Sequence, residues 1–178
     1  MNQKVKIAPM TKNHLDFWYE WAKVPHVKNT WFLEGYHPPE YILEKLKGNG
    51  YDYPFIINLD DEPVGYLSCC DLYAYKTLCD NPKGVFKNED KGTWCLDLFI
   101  AREDCLNKGI GTEVVKQCVD MLLNQYGAKQ IKIDPAADNK RAIRCYEKAG
   151  FKCRRVENDG ISECQIMEYG FGEGQDHG

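Results

Sequence analysis

The sequence predicts a mixed α/β sandwich. Three observations carry that prediction. Through the first half of the chain, short runs rich in β-branched and aromatic residues alternate with polar ones, as half-buried strands do. Further on, residues 109–126 and 138–149 change to the spacing of amphipathic helices, with a short apolar strand between them. Two last apolar runs turn at Asn158-Asp159-Gly160 and read as a closing hairpin.

Taken in order, Lys4 to Ile7 is the first strand. Thr11 caps a helix whose apolar face is Leu15, Trp18 and Ala22, widened by Phe17 and Trp21, and Pro25 ends it. Pro39 opens a second short helix, which Gly48 closes behind Lys45 and Lys47. Tyr53 to Leu59 and Val64 to Leu72 are strands joined by the turn residues Asp60-Asp61-Glu62-Pro63. Residues 73–92 mix charges, turn formers and aromatics, and are expected to form an excursion on the substrate side of the fold. Trp94 to Ala101 is a strand, and Gly109 to Tyr126 a helix with Ile110, Val114, Val115, Cys118, Val119 and Leu122 on one face. Gln130 to Asp134 is a strand and Asp138 to Ala149 a helix stopped by Gly150. Phe151 to Glu157 and Glu163 to Tyr169 close the fold. Residues 1–170 are expected to be a single domain and the glycine-rich 171–178 a disordered tail.

Composition removes several functions. With 43% apolar, 12% aromatic and 28% charged residues the chain suits a soluble globular protein and is too aromatic for disorder. A net charge of −4 argues against nucleic acid and anionic membranes as partners, and leaves a small cationic molecule as the easier one. No apolar run approaches the ~20 residues of a membrane span. The first residues, MNQKVKIAPMTKNH, hold no apolar secretory core, so a cytoplasmic location is expected. Nine cysteines, an odd number without a C-x-x-C pair, speak against a disulfide framework, and most read as small core residues. His14, His26, His37 and His177 are too scattered for a zinc site, so no metal is expected. The molecule is expected to act as a monomer or homodimer.

Two segments carry chemistry. In Leu106-Asn107-Lys108-Gly109-Ile110-Gly111-Thr112, glycines open a long helix and let backbone N–H groups meet an anion; the same turn also serves as a plain tight connection. It lacks the Gly-Lys-Ser/Thr of a P-loop and the third glycine of a dinucleotide fingerprint. In Cys95-Leu96-Asp97-Leu98-Phe99-Ile100, alternation sets Leu96, Leu98 and Ile100 on one face and Asp97 on the other. Asp97 is then either half of a structural ion pair or a carboxylate facing an open cleft. Asp134, ending the next strand, is either a turn residue before Pro135 or a second acid at the cleft mouth, where two carboxylates suit a polycationic amine. Tyr146 shares a helix face with Ala142 and Ile143 and is either a core aromatic or a proton donor.

The run Asp134-Pro135-Ala136-Ala137-Asp138-Asn139-Lys140-Arg141-Ala142-Ile143-Arg144-Cys145-Tyr146-Glu147-Lys148-Ala149-Gly150-Phe151, together with the 106–112 turn, resembles the GCN5-related N-acetyltransferases (GNAT). Within that superfamily it is similar to the aminoglycoside 6′-N-acetyltransferase branch, as are Glu62-Pro63-Val64-Gly65-Tyr66 and Thr30-Trp31. The resemblance implies a GNAT fold: a mostly antiparallel sheet of six to seven strands, helices on both faces, splayed between the strands at 94–101 and 130–134. It implies acetyl-coenzyme A, with its pantetheine arm along backbone near Leu98 and Ile100. The pyrophosphate would rest on N–H groups of Lys108, Gly109, Ile110, Gly111 and Thr112, with Asn139, Arg141 and Ala142 beside the coenzyme. Leu106 stands where the superfamily usually has Gln or Arg, so the phosphate contact would rest on backbone with help from Lys108. The implied reaction is acetyl transfer to an amine, foremost the 6′-amine of an aminoglycoside. Asp97 would take the amine's proton, directly or through water, and Tyr146 would protonate the departing thiolate. Asp134, Trp31 and Asp159 fall to the acceptor side, with Glu34 in the segment after Trp31. Rival readings are another amine acceptor (a siderophore hydroxylysine, a polyamine, a protein N-terminus) or a coenzyme A-binding module without turnover.

Overall fold

The computed structural model describes residues 3–33 and 38–170. Glu34 and the 171–178 tail lie outside the described residues. A 7-stranded sheet runs in the order β1-β2-β3-β4-β5-β7-β6. Its strands are β1 (Val5–Pro9), β2 (Asp52–Leu59), β3 (Glu62–Asp71), β4 (Thr93–Ile100), β5 (Gln130–Ile133), β6 (Phe151–Asn158) and β7 (Glu163–Tyr169). Every neighbouring pair is antiparallel except β4 and β5.

Helices cover both faces. On one, α5 (Ile110–Asn124) and α6 (Lys140–Lys148) bury Val114, Val115, Cys118, Leu122, Ile143 and Tyr146 against Leu67, Leu96, Ile131 and Met167 of the sheet. On the other, α1 (Leu15–Trp21), α2 (Pro25–Lys28) and α3 (Ile42–Lys47) bury Trp18, Trp21, Val27 and Ile42 against Ile56, Tyr66 and Phe99. This second core is aromatic: Trp18 meets Tyr66 edge-on at 4.7 Å, and Trp31 meets Phe99 at 5.0 Å. Such pairs add about 0.5–1.5 kcal/mol each beyond area burial. Alternation in β4 explains the division, since Leu96 and Ile100 enter the first core while Phe99 enters the second.

The structure departs from the sequence reading at three places. Pro25 does not merely end α1; it is the first residue of α2, where its missing N–H costs nothing. The β2–β3 turn is the pair Asp60-Asp61, both at positive φ (50° and 67°), so Glu62 and Pro63 belong to β3. Asp60 supports the turn by accepting the Lys4 N–H at 2.8 Å. Third, the excursion at 73–92 begins with a helix, α4 (Leu72–Leu78). Asp71 caps it by accepting the N–H groups of Tyr73 and Ala74 at 3.1 and 3.0 Å.

The remainder of that excursion is fastened to the body. The Tyr75 hydroxyl accepts the Lys83 N–H at 2.7 Å and donates to the Lys83 carbonyl at 3.2 Å. Glu89 pairs with Lys132 of β5 at 2.8 Å, both side chains being more than four-fifths buried. The segment is therefore a fixed wall beside β4 and β5.

The sheet opens at its centre. β4 and β5 pair only through Thr93 with Gln130, Trp94 with Ile131 and Cys95 with Lys132. Past Cys95 the two strands part, and Ile133 continues on β7 opposite Met167. The splay expected from the resemblance is present.

Candidate active site

The opening exposes one edge of β4. The Ala101 N–H bonds Val64 on the β3 side, at 2.8 Å. Strand alternation therefore turns the amides of Leu98 and Ile100 toward the gap. Two of their four polar groups are already engaged. The Leu98 N–H donates to Asp97 Oδ1 at 2.9 Å, and the Ile100 carbonyl is bonded to the His26 ring at 2.8 Å. The Leu98 carbonyl and the Ile100 N–H remain for a ligand.

At the far end of the gap stands the 106–112 turn. Asn107 (φ 57°) and Gly109 (φ 78°) take left-handed conformations and swing the chain into α5. The N–H groups of Ile110, Gly111 and Thr112 lie in the first helical turn, where the helix offers no acceptor. A Cβ on Gly109 would have no atom within 4 Å, so the mouth of the turn is open. Lys108 is exposed beside it. Leu106, by contrast, packs on the main core. Gly111 also has a packing part. Its Cβ would point at Cys145 Sγ of α6, 3.3 Å away, so this glycine sets the approach of α5 to α6. Gly111→Val is accordingly expected to cost about 1–3 kcal/mol by overpacking. A Tm several degrees lower in a melting experiment checks this; an unchanged Tm would mean that Cys145 gives way.

Asn139 caps α6, its Oδ1 accepting the Ala142 N–H at 3.2 Å. The Ala142 amide is thereby engaged, and of Asn139 the side-chain nitrogen is left for a ligand. Arg141 and Arg144 are exposed on α6.

On the sheet face opposite α5 and α6 lies a cavity of about 330 Å³. Asp97, Asp134, Trp31, Tyr41, Lys45 and Phe86 are among its walls. Here the two predicted carboxylates meet. Each reaches water through the cleft, yet protein surrounds both closely enough that burial lifts Asp97 from 3.8 to about 7. The Leu98 N–H and Lys45 oppose that rise without cancelling it. Burial, then the Asp97 and Asp159 carboxylates, lift Asp134 to about 7 as well. Asp159 stands at the β6–β7 turn, in an outer groove that shares Gly84 and Val85 with the main cavity. Trp31 donates its indole N–H to the Tyr41 hydroxyl at 3.2 Å and stacks edge-on against Tyr66.

These shifts set a pH dependence of stability. A carboxyl whose folded pKa is raised holds its proton in the folded state between about pH 4 and 7 while the unfolded chain releases it. Its contribution is present at low pH and lost as pH rises through 7. The Tm contribution of these carboxyls is expected to fall between about pH 4 and 7 and to level off above 7, and to fall less in Asp134→Asn. Equal slopes in the two proteins would remove the desolvated carboxylates as the cause.

Tyr146 comes from the other face of the sheet. It is 4% exposed, packs on Phe151 at 5.8 Å between ring centres, and belongs to the main core. Burial, then the charges of Asp97, Cys145 and Asp134, raise its pKa well above the usual value, so the hydroxyl keeps its proton at neutral pH. Its ring is thus a core aromatic, as periodicity suggests, while its hydroxyl answers to the same carboxylates as the cleft. Sequence reasoning missed Lys45. It was legible as a helix-end cation, and nothing local signals that its ammonium turns into the cleft.

A sheet opened in this way, with N–H groups gathered at one end of the gap and carboxylates at the other, fits the acyltransferase class that the resemblance implies. The comparisons give the family. A model of the acetyltransferase (GNAT) domain matches residues 10–157, and the chain belongs to that family. It is 33% identical over 156 residues to an aminoglycoside N(6′)-acetyltransferase type 1 of Klebsiella pneumoniae, spanning 85% of this chain and 75% of that one. Two solved structures of AAC(6′)-Ib are also similar. The complex with paromomycin and acetyl-coenzyme A has a TM-score of 0.80 at 29% identity, covering 93% of each chain. The complex with coenzyme A and kanamycin has a TM-score of 0.79 at 28% identity, covering 93% and 94%. Among the described residues no helix is long and apolar enough to cross a membrane, and no cluster of three or more His, Cys, Asp or Glu side chains is arranged for a metal.

Proposed function

We propose that this chain transfers the acetyl group of acetyl-coenzyme A to the 6′-amine of an aminoglycoside. The observation that carries the reading is the meeting of Asp97 and Asp134, both lifted to about 7, in a cleft that opens on the unpaired edge of β4. The sequence and structural likeness to aminoglycoside 6′-N-acetyltransferases supports the acceptor.

The gap suits the coenzyme. The Leu98 carbonyl and Ile100 N–H offer strand-like bonds to an extended amide arm, and the first-turn N–H groups of α5 suit a pyrophosphate. Lys108 and the Asn139 side-chain nitrogen stand ready beside them. When bound, the coenzyme supplies an acetyl group activated as a thioester. The chain's own residues do the rest. Asp97 and Asp134 hold the acceptor's ammonium groups, and Asp97, with a pKa near neutral, accepts the proton that the amine must lose. The Tyr146 hydroxyl keeps a proton on the sulfur side. Trp31 and Phe86 wall the cleft and limit water. Holding both substrates at one place supplies much of the acceleration.

We read residues 1–170 as one acetyltransferase domain, working in the cytoplasm as a monomer or homodimer. The test is coenzyme A release from acetyl-coenzyme A with and without kanamycin. Release that kanamycin stimulates supports the reading. Release that another amine stimulates and kanamycin does not would remove the aminoglycoside.

A further inference from the structure

A cleft that receives a polycation should be lined by carboxylates, yet this one holds a buried ammonium. The Lys45 side chain is 14% exposed and comes from the last turn of α3. Its Nζ donates to Ser68 Oγ at 3.0 Å, lies 3.7 Å from Asp52 Oδ1 and sits 5.1 Å over the Tyr41 ring. Ser68 is the residue directly opposite Asp97 in the β3–β4 ladder, so the ammonium stands one side chain away from the acceptor's proton acceptor. Burial opposes its charge, while the surrounding oxygens of Tyr66, Tyr41 and Asp52 favour it, and the balance raises its pKa.

The surroundings are rich in donors. An ammonium has three N–H groups, and Ser68 takes one at hydrogen-bond distance while Asp52 stands further off. Beside it the Tyr66 hydroxyl is fully buried and has no hydrogen-bond partner among the described residues. Lys45 is the strongest charge acting on that hydroxyl. Asp52 keeps a second partner in the Asn49 amide at 3.0 Å, so an ion pair for Asp52 does not by itself account for a lysine in the cleft.

We propose that Lys45 is an acceptor-specificity residue: it meets an oxygen of the acceptor, a hydroxyl near the reacting amine, and excludes a second ammonium from that position. The cleft is then bipolar. Asp97 and Asp134 take the reacting amine, and the Lys45 end takes a neutral or electron-rich oxygen. This rests on the amine-acetylating reading above and narrows the acceptor to amino sugars and amino alcohols over linear polyamines, which carry cations along their whole length.

The experiment compares the wild-type protein with Lys45→Met, using kanamycin as acceptor and spermidine as competitor. Lys45→Met is expected to raise the KM for kanamycin about tenfold, the worth of one hydrogen bond to a charged group. Spermidine should inhibit the variant about tenfold more tightly, because the repelling charge is gone. The KM for acetyl-coenzyme A should stay the same. Lys45→Gln keeps a donor without the charge; it should hold kanamycin better than Lys45→Met while also admitting spermidine, and it stands in should Lys45→Met misfold. A purely structural lysine would weaken both ligands alike or shift only Tm, and either result overturns the proposal, as does spermidine binding that no variant changes. If the wild-type protein fails to acetylate kanamycin, the aminoglycoside reading falls and this inference with it. If it acetylates kanamycin and the ratio between ligands stays fixed, the inference falls alone.

Discussion

Asp97→Asn is expected to lower kcat/KM for an aminoglycoside at least ~10²-fold, the scale of a lost general base. The variant keeps the side chain's size and can keep an oxygen on the Leu98 N–H, so the fold and coenzyme affinity should hardly change. The wild-type rate should fall as pH drops below about 7, where Asp97 takes up a proton. Because Asp134 raises its own demand for a proton in the same range, that limb reports the pair of carboxylates, not one of them. The limb should flatten in Asp97→Asn. Near-normal turnover in a folded Asp97→Asn protein would make Asp97 a structural carboxylate and end the proposed mechanism. Steady-state rates with kanamycin across about pH 5 to 9, an interval of about two pKa units on either side of 7, check both points.

Tyr146→Phe is the second large effect. The ring and its contact with Phe151 survive, so stability should move by no more than about 1 kcal/mol, the net value of one hydrogen bond. The loss should appear in kcat, about 10- to 10³-fold, with the KM for the drug little altered. Its pKa lies well above the usual tyrosine value, so the wild-type proton donor stays loaded through the neutral range. Normal turnover combined with a lower Tm would assign the hydroxyl to the core alone.

Much of the arrangement was legible because it is local or periodic. Period-two alternation in β4 separates Leu96 and Ile100 from Asp97, and the structure keeps that division. The Pro39 and Gly48 ends of the second helical segment follow from backbone chemistry that any such residues impose. What escaped depends on direction or on distant partners. Asp71 ends a strand and caps a helix at once, so the apolar Leu72 looked like the strand's last residue. The packing part of Gly111 is not local either, since only the course of α6 brings Cys145 against its missing Cβ. Lys45 finds Ser68 more than twenty residues away, and no local pattern sets the end of that helix over that strand.

The short parallel ladder between β4 and β5 has a consequence for how the molecule breathes. Within the ladder, only three residue pairs join a four-stranded half, β1 to β4, to a three-stranded half, β5 to β7, while the core beneath is shared. Without a ligand in the gap, the Ile100 amide should exchange its hydrogen for deuterium faster than the Phe99 amide next to it, which faces β3. An extended ligand bonded to that edge would act as an added strand and close the difference. Amide exchange is thus expected to show protection spreading from Ile100 into β5 on addition of coenzyme A, so that the substrate itself completes the sheet.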